Sequence, residues 1–183
     1  MRRKIHKDHE FSTETLIKKL LKGDRKAQYS LYENYANSIY FSCFRLLQNK
    51  EEAEDLVQDV FIQAFADLKK LKNKASFGVW IKQMAIHKSL NSLRLKKLQF
   101  TQLHDNIAVT NDETIDYDID SVTIKQAIAE LPMGSRTVLN LYLLENYKHA
   151  EIAEMLDISV STSKSQYARA KQLLKTKLRK DER

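Results

Sequence analysis

The sequence predicts an all-α protein made of two small helical domains joined by an extended acidic segment. Three observations predict it. Only three glycines (Gly23, Gly78, Gly134) and one proline (Pro132) occur in 183 residues, too few for the turns of an all-β chain. Apolar residues recur at three- and four-residue spacing along most of the chain, the period of a helix buried on one side. That period stops between residues 98 and 121, a stretch rich in Asp, Asn and Thr. A loop of such length is rare inside one domain, so it reads as a linker between two.

The elements follow in order. Ser12 or Thr13 can cap a helix through Leu16, Ile17, Leu20 and Leu21, and Lys22-Gly23-Asp24 breaks it. A second helix carries Ala27, Leu31, Tyr35, Ile39, Phe41 and Phe44; the single cysteine, Cys43, is expected to be buried among Phe41, Phe44 and Leu47. Asn49, three residues before Glu52, resembles a capping box. It opens a helix with Ala53, Leu56, Val57, Val60, Phe61, Ala64, Phe65 and Leu68 on one side and Glu51, Glu54, Asp55, Gln58, Asp59, Gln63 and Asp67 on the other. A basic loop, Lys69 to Lys74, leads to a helix starting near Ser76 with Phe77, Trp80, Ile81, Met84, Ala85, Leu90 and Leu93. After the linker, Ile124, Ala127, Ile128 and Leu131 are expected on one side of a helix. Pro132-Met133-Gly134-Ser135 is read as a turn, and Val138, Leu139, Leu141, Tyr142 and Leu144 as part of the next helix.

Composition excludes several functions. Glycines too scattered to cluster exclude phosphate-cradling P-loops and dinucleotide fingerprints. One cysteine excludes an intramolecular disulfide and a cysteine-based zinc site. No apolar run is long enough to span a membrane. Met1-Arg2-Arg3-Lys4 begins like a secretion signal, but Ser12, Thr13 and Glu14 occupy the place of its apolar core, so a cytoplasmic protein is expected. The histidines (His6, His9, His87, His104, His149) form no metal motif, and no nucleophile elbow occurs. The chain is therefore expected to be no enzyme and to hold no cofactor or metal.

Charge is distributed unevenly. The net charge is +7: residues 1–97 contribute +9, residues 98–121 contribute −6 with no Lys or Arg, and residues 122–183 contribute +4. Two basic blocks flanking an acidic strip favour a polyanionic partner, although a lysine-rich solvated face would look the same.

The stretch from Lys148 to Lys171 has the grammar of a helix-turn-helix. Ile152, Ala153 and Leu156 suit a short helix, with small Ala153 where two helices approach. Asp157-Ile158-Ser159 can form the turn, Ile158 plugging the core, and Ser159 or Ser161 can cap the next helix. That helix presents Thr162, Lys164, Ser165, Gln166, Ala168, Arg169 and Lys171 outward, while Tyr167, Ala170 and Leu174 face in. Short polar and basic side chains at a helix N-terminus are what reading the major groove requires.

Two separated stretches resemble a known family. Glu52 to Phe65, followed by Phe77-Gly78-Val79-Trp80-Ile81 and Asn91-Ser92-Leu93-Arg94, is similar to region 2 of bacterial sigma-70 family sigma factors of the extracytoplasmic-function (ECF) group. Leu131-Pro132 through Leu174 is similar to region 4. The resemblance implies region 2 over 10–97, an acidic linker over 98–121 and region 4 over 122–180. It implies no catalysis, and as partners core RNA polymerase, promoter DNA and a sequestering anti-sigma factor, with no membrane insertion.

The resemblance also implies roles. Asp55, Gln58 and Asp59 would meet the clamp helices of the polymerase largest subunit. Leu71, Ala75 and Ser76 would line a pocket for an unstacked base of the −10 element, with His87, Asn91 and Arg94 beside it; His87 stands where the family often has Asn. Trp80 could stack at the melted edge or belong to the core. Lys164, Ser165, Ala168 and Arg169 would read the duplex −35 element. Thr162, Gln166 and Lys171 would touch phosphates, Gln166 replacing the family's usual Arg. Residues near Leu139, Leu143 and Leu144 could dock on the flap of the second-largest subunit. The linker would follow the RNA path on the polymerase. Two other classes stay open: a stand-alone helix-turn-helix regulator binding operator DNA, and an enzyme with a helical nucleic-acid-binding appendage.

Overall fold

A computed structural model describes residues 12–99 and 121–180, and all regular structure among them is helical. Packing divides the chain into two units, the division falling after Ser89 within the helix Phe77–Gln99, with residues 45–48 grouped with the second. The residues assigned to the linker lie outside the described set, apart from Leu98 and Gln99, which still belong to that helix, and Ser121, which begins the helix Ser121–Ala129. Met1 to Lys4, His6, His9 and His104 also lie outside it.

The first unit opens with α1 (Thr13–Leu20), whose N-cap Ser12 accepts a hydrogen bond from the Thr15 amide. Gly23 then takes φ +91°, the left-handed conformation that glycine adopts without a steric penalty. Asp24 restarts the chain: its Oδ1 accepts from the amides of Lys26 at 2.8 Å and Ala27 at 3.3 Å, capping α2 (Arg25–Leu47). α3 (Lys50–Asp67) begins at Asn49, whose side chain accepts from the Glu52 amide at 3.1 Å. Two short 3-10 turns, Leu68–Lys70 and Lys74–Ser76, lead into α4 (Phe77–Gln99).

Leu16 and Ile17 of α1, Leu31, Ile39 and Cys43 of α2, Val57, Val60 and Phe61 of α3, and Phe77 and Ile81 of α4 are buried. Each large side chain contributes about 1.5–3 kcal/mol by leaving water. Phe41 is corrected relative to the sequence reading. It is 47% exposed, because it lies two residues, and so about half a turn, from buried Cys43.

The second unit holds α5 (Ser121–Ala129), α6 (Met133–Leu139), α7 (His149–Leu156) and α8 (Val160–Lys180). α8 packs against α5, α6 and α7. Leu131, Leu139 and Ala170 form its buried centre, with Ile128, Tyr167, Leu173 and Leu174 packed on them.

Three expectations are corrected here. Pro132 to Ser135 is not a turn: Pro132 is the N-cap of α6, and Ser135 is already a buried helical residue. Proline's fixed φ and missing N–H suit a helix start. Arg136 completes that start by donating from Nη1 to the carbonyls of Ala129 and Leu131 at 2.9 and 2.8 Å. Ile124, expected inside, is 37% exposed. The helix expected through Leu144 changes to a wide π turn over Asn140–Leu144, with Glu145 N–H donating to the Asn140 carbonyl. That turn displaces the helical register and leaves Leu143 and Leu144 exposed.

Candidate nucleic-acid and protein interfaces

On α3 the helical period separates core from surface. Asp55, Gln58 and Asp59 are all exposed, with Glu51 and Glu54 near them on the same helix. Ile62, three residues beyond Asp59 and seven beyond Asp55, is 69% exposed, an apolar knob on an acidic surface that the sequence pattern had concealed within a run of apolar residues. Beside this face, Tyr32 and Tyr40 of α2 and Glu54 and Gln58 of α3 line a shallow groove.

The basic loop after α3 is held by short local hydrogen bonds. Asp67 accepts from Gln63 and pairs with Lys70 at 2.6 Å. Lys70, ahead of Gln63, holds the Asp67 carboxyl below its ordinary range. Asn73 shapes the rest: its Oδ1 accepts from the Ala75 amide at 3.0 Å, while its carbonyl accepts from Ser76 Oγ at 2.7 Å. Asn directly before a helical turn is a turn-forming signal, and Asn73 stands directly before the 3-10 turn Lys74–Ser76. Leu71 and Ser76 are half-buried and Ala75 is exposed, all three lying in the segment between α3 and α4. His87, Asn91 and Arg94 are exposed on α4, continuing a line from exposed Val79 and Gln83. Trp80 is half-buried, its ring 6.0 Å from that of Phe77.

The start of α4 requires a glycine. A Cβ on Gly78 would sit 2.7 Å from Tyr35 Cε1, closer than carbon atoms pack. The Tyr35 ring is held there by its hydroxyl, 2.8 Å from Thr13 Oγ1, and by an edge contact to Phe77 at 5.3 Å.

In the second unit α7 and α8 form the expected helix-turn-helix. The Lys148 amide donates to Glu151 Oε2 at 2.7 Å, starting α7. At its end Asp157 is left-handed, φ 55° and ψ 51°, and the Ile158 amide reaches back to the Ala153 carbonyl at 3.0 Å, the six-to-one bond of a Schellman stop. Ile158, expected to plug the core, is half-buried. Ser159 caps α8 by accepting from the Thr162 amide at 3.0 Å. Its hydroxyl also lies 2.7 Å from that of Ser161 and 2.8 Å from that of Thr162.

The expected reading residues divide. Lys164, Ser165 and Lys171 are exposed, and Thr162, Ala168 and Arg169 are half-buried. Ser165 donates its hydroxyl proton to the Thr162 carbonyl at 3.0 Å, which leaves its lone pairs to accept. Gln166 is engaged inside the protein: its Oε1 accepts from the fully buried Ser135 hydroxyl at 2.7 Å.

An aromatic cluster supports the same helix. The His149 ring stacks on Tyr142 at 4.5 Å and meets the edge of Tyr167 at 5.7 Å. His149 Nδ1 lies 2.9 Å from the hydroxyl of buried Ser163 in the first turn of α8. Burial first, and then the charge of Lys164, hold the imidazole below its usual range. Lys171 Nζ lies 5.6 Å from the Tyr167 ring centre. Sequence reading placed Tyr167 inside but missed the cluster, whose members lie on three separate elements.

Among the described residues no group of His, Cys, Asp and Glu could hold a metal ion, and no helix is long and apolar enough to cross a membrane. An acidic helix face, a basic loop beside an exposed helix face, and a helix-turn-helix with a basic reading helix define a helical protein of the nucleic-acid-binding class.

Comparison with known proteins is more specific. Residues 31–98 match the family model "Sigma-70 region 2" and residues 121–174 match "Sigma-70, region 4". The RNA polymerase sigma factor YlaC of Bacillus subtilis is 31% identical over 163 residues, covering 84% of this chain and 94% of the relative. The ECF RNA polymerase sigma factor SigW of the same organism is 29% identical over 178 residues, covering 89% and 95%. The sigma factor RpoE from Bartonella quintana, solved in complex with the anti-sigma factor NepR, shares the fold with a TM-score of 0.54 at 18% identity, over 82% of this chain and 96% of that one. The chain belongs to the ECF group of the sigma-70 family of RNA polymerase sigma factors.

Proposed function

We propose that this chain binds core RNA polymerase and directs it to a subset of promoters, acting by binding and strand capture while the polymerase performs the chemistry. The observation that carries this reading is the co-linear pair of matches, region 2 before region 4 in one chain; a stand-alone helix-turn-helix regulator has no need of the first. The exposed acids of α3 support Asp55, Gln58 and Asp59 as the surface for a basic partner helix. The basic loop supports Leu71, Ala75 and Ser76, with His87, Asn91 and Arg94, as the capture site for single-stranded −10 DNA, where lysines follow the backbone and a small pocket takes a base. Exposed Lys164 and Ser165, with half-buried Ala168 and Arg169 one turn further along α8, support these four as readers of the duplex −35 element, with Thr162 and Lys171 nearer the phosphates. Region 2 is assigned to 10–97, the linker to 98–121 and region 4 to 122–180. The protein acts in the cytoplasm without catalysis of its own. An anti-sigma partner is part of this reading, since the structurally similar RpoE was solved with one.

The test is a pull-down of core RNA polymerase by the full chain, with Asp55→Arg plus Asp59→Arg as control. Binding by the wild type that the double variant loses supports the assignment. A folded wild-type chain that captures no polymerase overturns it and leaves a stand-alone DNA-binding regulator.

A further inference from the structure

We infer that Gln166 is a positioning residue: braced by the buried Ser135 hydroxyl, it sets the rotation of α8 about its own axis, and so determines which bases the exposed edge of that helix can reach. This inference rests on the reading of α8 as the duplex-reading helix.

Three observations carry it. Ser135 has no exposed surface, and its hydroxyl sits 2.7 Å from Gln166 Oε1. A hydroxyl buried on α6 needs a partner, because leaving it unsatisfied costs more than the bond itself gains. Gly134, next to it, leaves the Gln166 amide room: a Cβ there would lie 3.6–3.8 Å from that amide's atoms, in ordinary contact, so the amide already lies against the α6 backbone. One turn earlier on α8, buried Ser163 lies 2.9 Å from His149 Nδ1. Residues 163 and 166 are one turn apart, so polar contacts from one side of α8 reach both α6 and α7.

Apolar packing around Ala170, Tyr167 and Leu174 holds α8 down but specifies its rotation loosely, since dispersion contacts are non-directional. Hydrogen bonds are directional. Lys164 and Ser165 are exposed on the helix surface, so a rotation of a few degrees moves their tips relative to base edges, where each good contact supplies discrimination. The side chain that holds Ser135 is engaged toward the protein interior, away from the role of a simple phosphate contact.

A phosphate contact and a positioning residue predict different losses. Removing a phosphate contact weakens binding uniformly across sequences. Releasing the brace lowers discrimination. The experiment uses the full chain assembled with core polymerase. It selects a preferred duplex from a randomised double-stranded DNA pool, then measures affinity for that duplex and for single-base variants of it. Gln166→Met and Ser135→Ala should each narrow the gap between preferred and variant duplexes by about three- to ten-fold, the scale of one lost hydrogen bond. The double variant should be no worse than either single. Gln166→Glu keeps an acceptor for the Ser135 hydroxyl. It should preserve discrimination while weakening binding to every duplex through its negative charge.

A uniform loss with Gln166→Met, no effect of Ser135→Ala, or multiplying effects in the double variant overturns the inference. If Ser135→Ala does not fold, as judged by circular dichroism, the contrast between Gln166→Met and Gln166→Glu decides. A wild-type assembly that enriches no duplex overturns the reading of α8 itself, which separates the two failures.

Discussion

Replacing Gly78 with alanine tests the packing that launches α4 beside the loop proposed to capture DNA. The new Cβ would lie 2.7 Å from Tyr35 Cε1, so the ring must retreat by about 1 Å to restore ordinary carbon contact. The retreat stretches the 2.8 Å bond between the Tyr35 and Thr13 hydroxyls past useful length, a loss of about 0.5–1.5 kcal/mol. It also disturbs the edge contact with Phe77 at 5.3 Å. Overpacking of this kind costs about 1–3 kcal/mol in total. Against it stands the helix-propensity gain of Ala over Gly, at most about 1 kcal/mol. With the full propensity gain the net expectation is a destabilisation of up to about 2 kcal/mol. Trp80 is the only tryptophan in the chain and lies two residues away, so urea unfolding followed by its fluorescence reads this unit selectively. In a Tyr35→Leu background the obstruction is gone, and Gly78→Ala should become neutral or stabilising. A stabilising Gly78→Ala in the wild type, or an equal cost in both backgrounds, refutes the reasoning.

Substitutions at two further positions address the helix-turn-helix. Asp157→Val should destabilise the second unit by about 1–2 kcal/mol, because a β-branched residue is strained at φ 55°, whereas Asp157→Gly should be neutral or slightly stabilising; thermal unfolding followed by circular dichroism compares them. His149 has its proton affinity lowered in the folded state by burial and by Lys164. Its contribution is complete above the unfolded value of about 6.5 and is lost as pH falls below it. The fall in melting temperature between about pH 7.5 and pH 5.5 should therefore shrink in His149→Phe, which keeps an aromatic ring against Tyr142 but cannot titrate; an unchanged fall removes His149 as its cause.

What the sequence made legible shares one property: it is local. Ser12, Asn49 and Ser159 each cap the helix that begins beside them, and the alternation of Val57, Val60 and Phe61 with Asp55, Gln58 and Asp59 separates core from surface within one helix. Proline misled the reading at Pro132, since the same fixed φ serves a turn and a helix start. The π turn at Asn140–Leu144 escaped it because one extra residue in a turn leaves no residue-type signature.

The sequence by itself determined most of the helices, the caps beside α1, α3 and α8, the two-part layout with a helix-turn-helix at its end, and the families of side chain available to meet polymerase and DNA. The tertiary structure decided which of those side chains are free to act. It placed Gln166 on Ser135, 31 residues away, gathered Tyr142, His149 and Tyr167 into one cluster, brought Tyr35 against Gly78, and left Ile62 in solvent. The physical reason is range. Caps and amphipathic faces come from hydrogen bonds and spacing within one or two turns of a helix, whereas the partner of a buried hydroxyl or the clearance beside a glycine depends on which helix lies across from it, and only the packed chain specifies that.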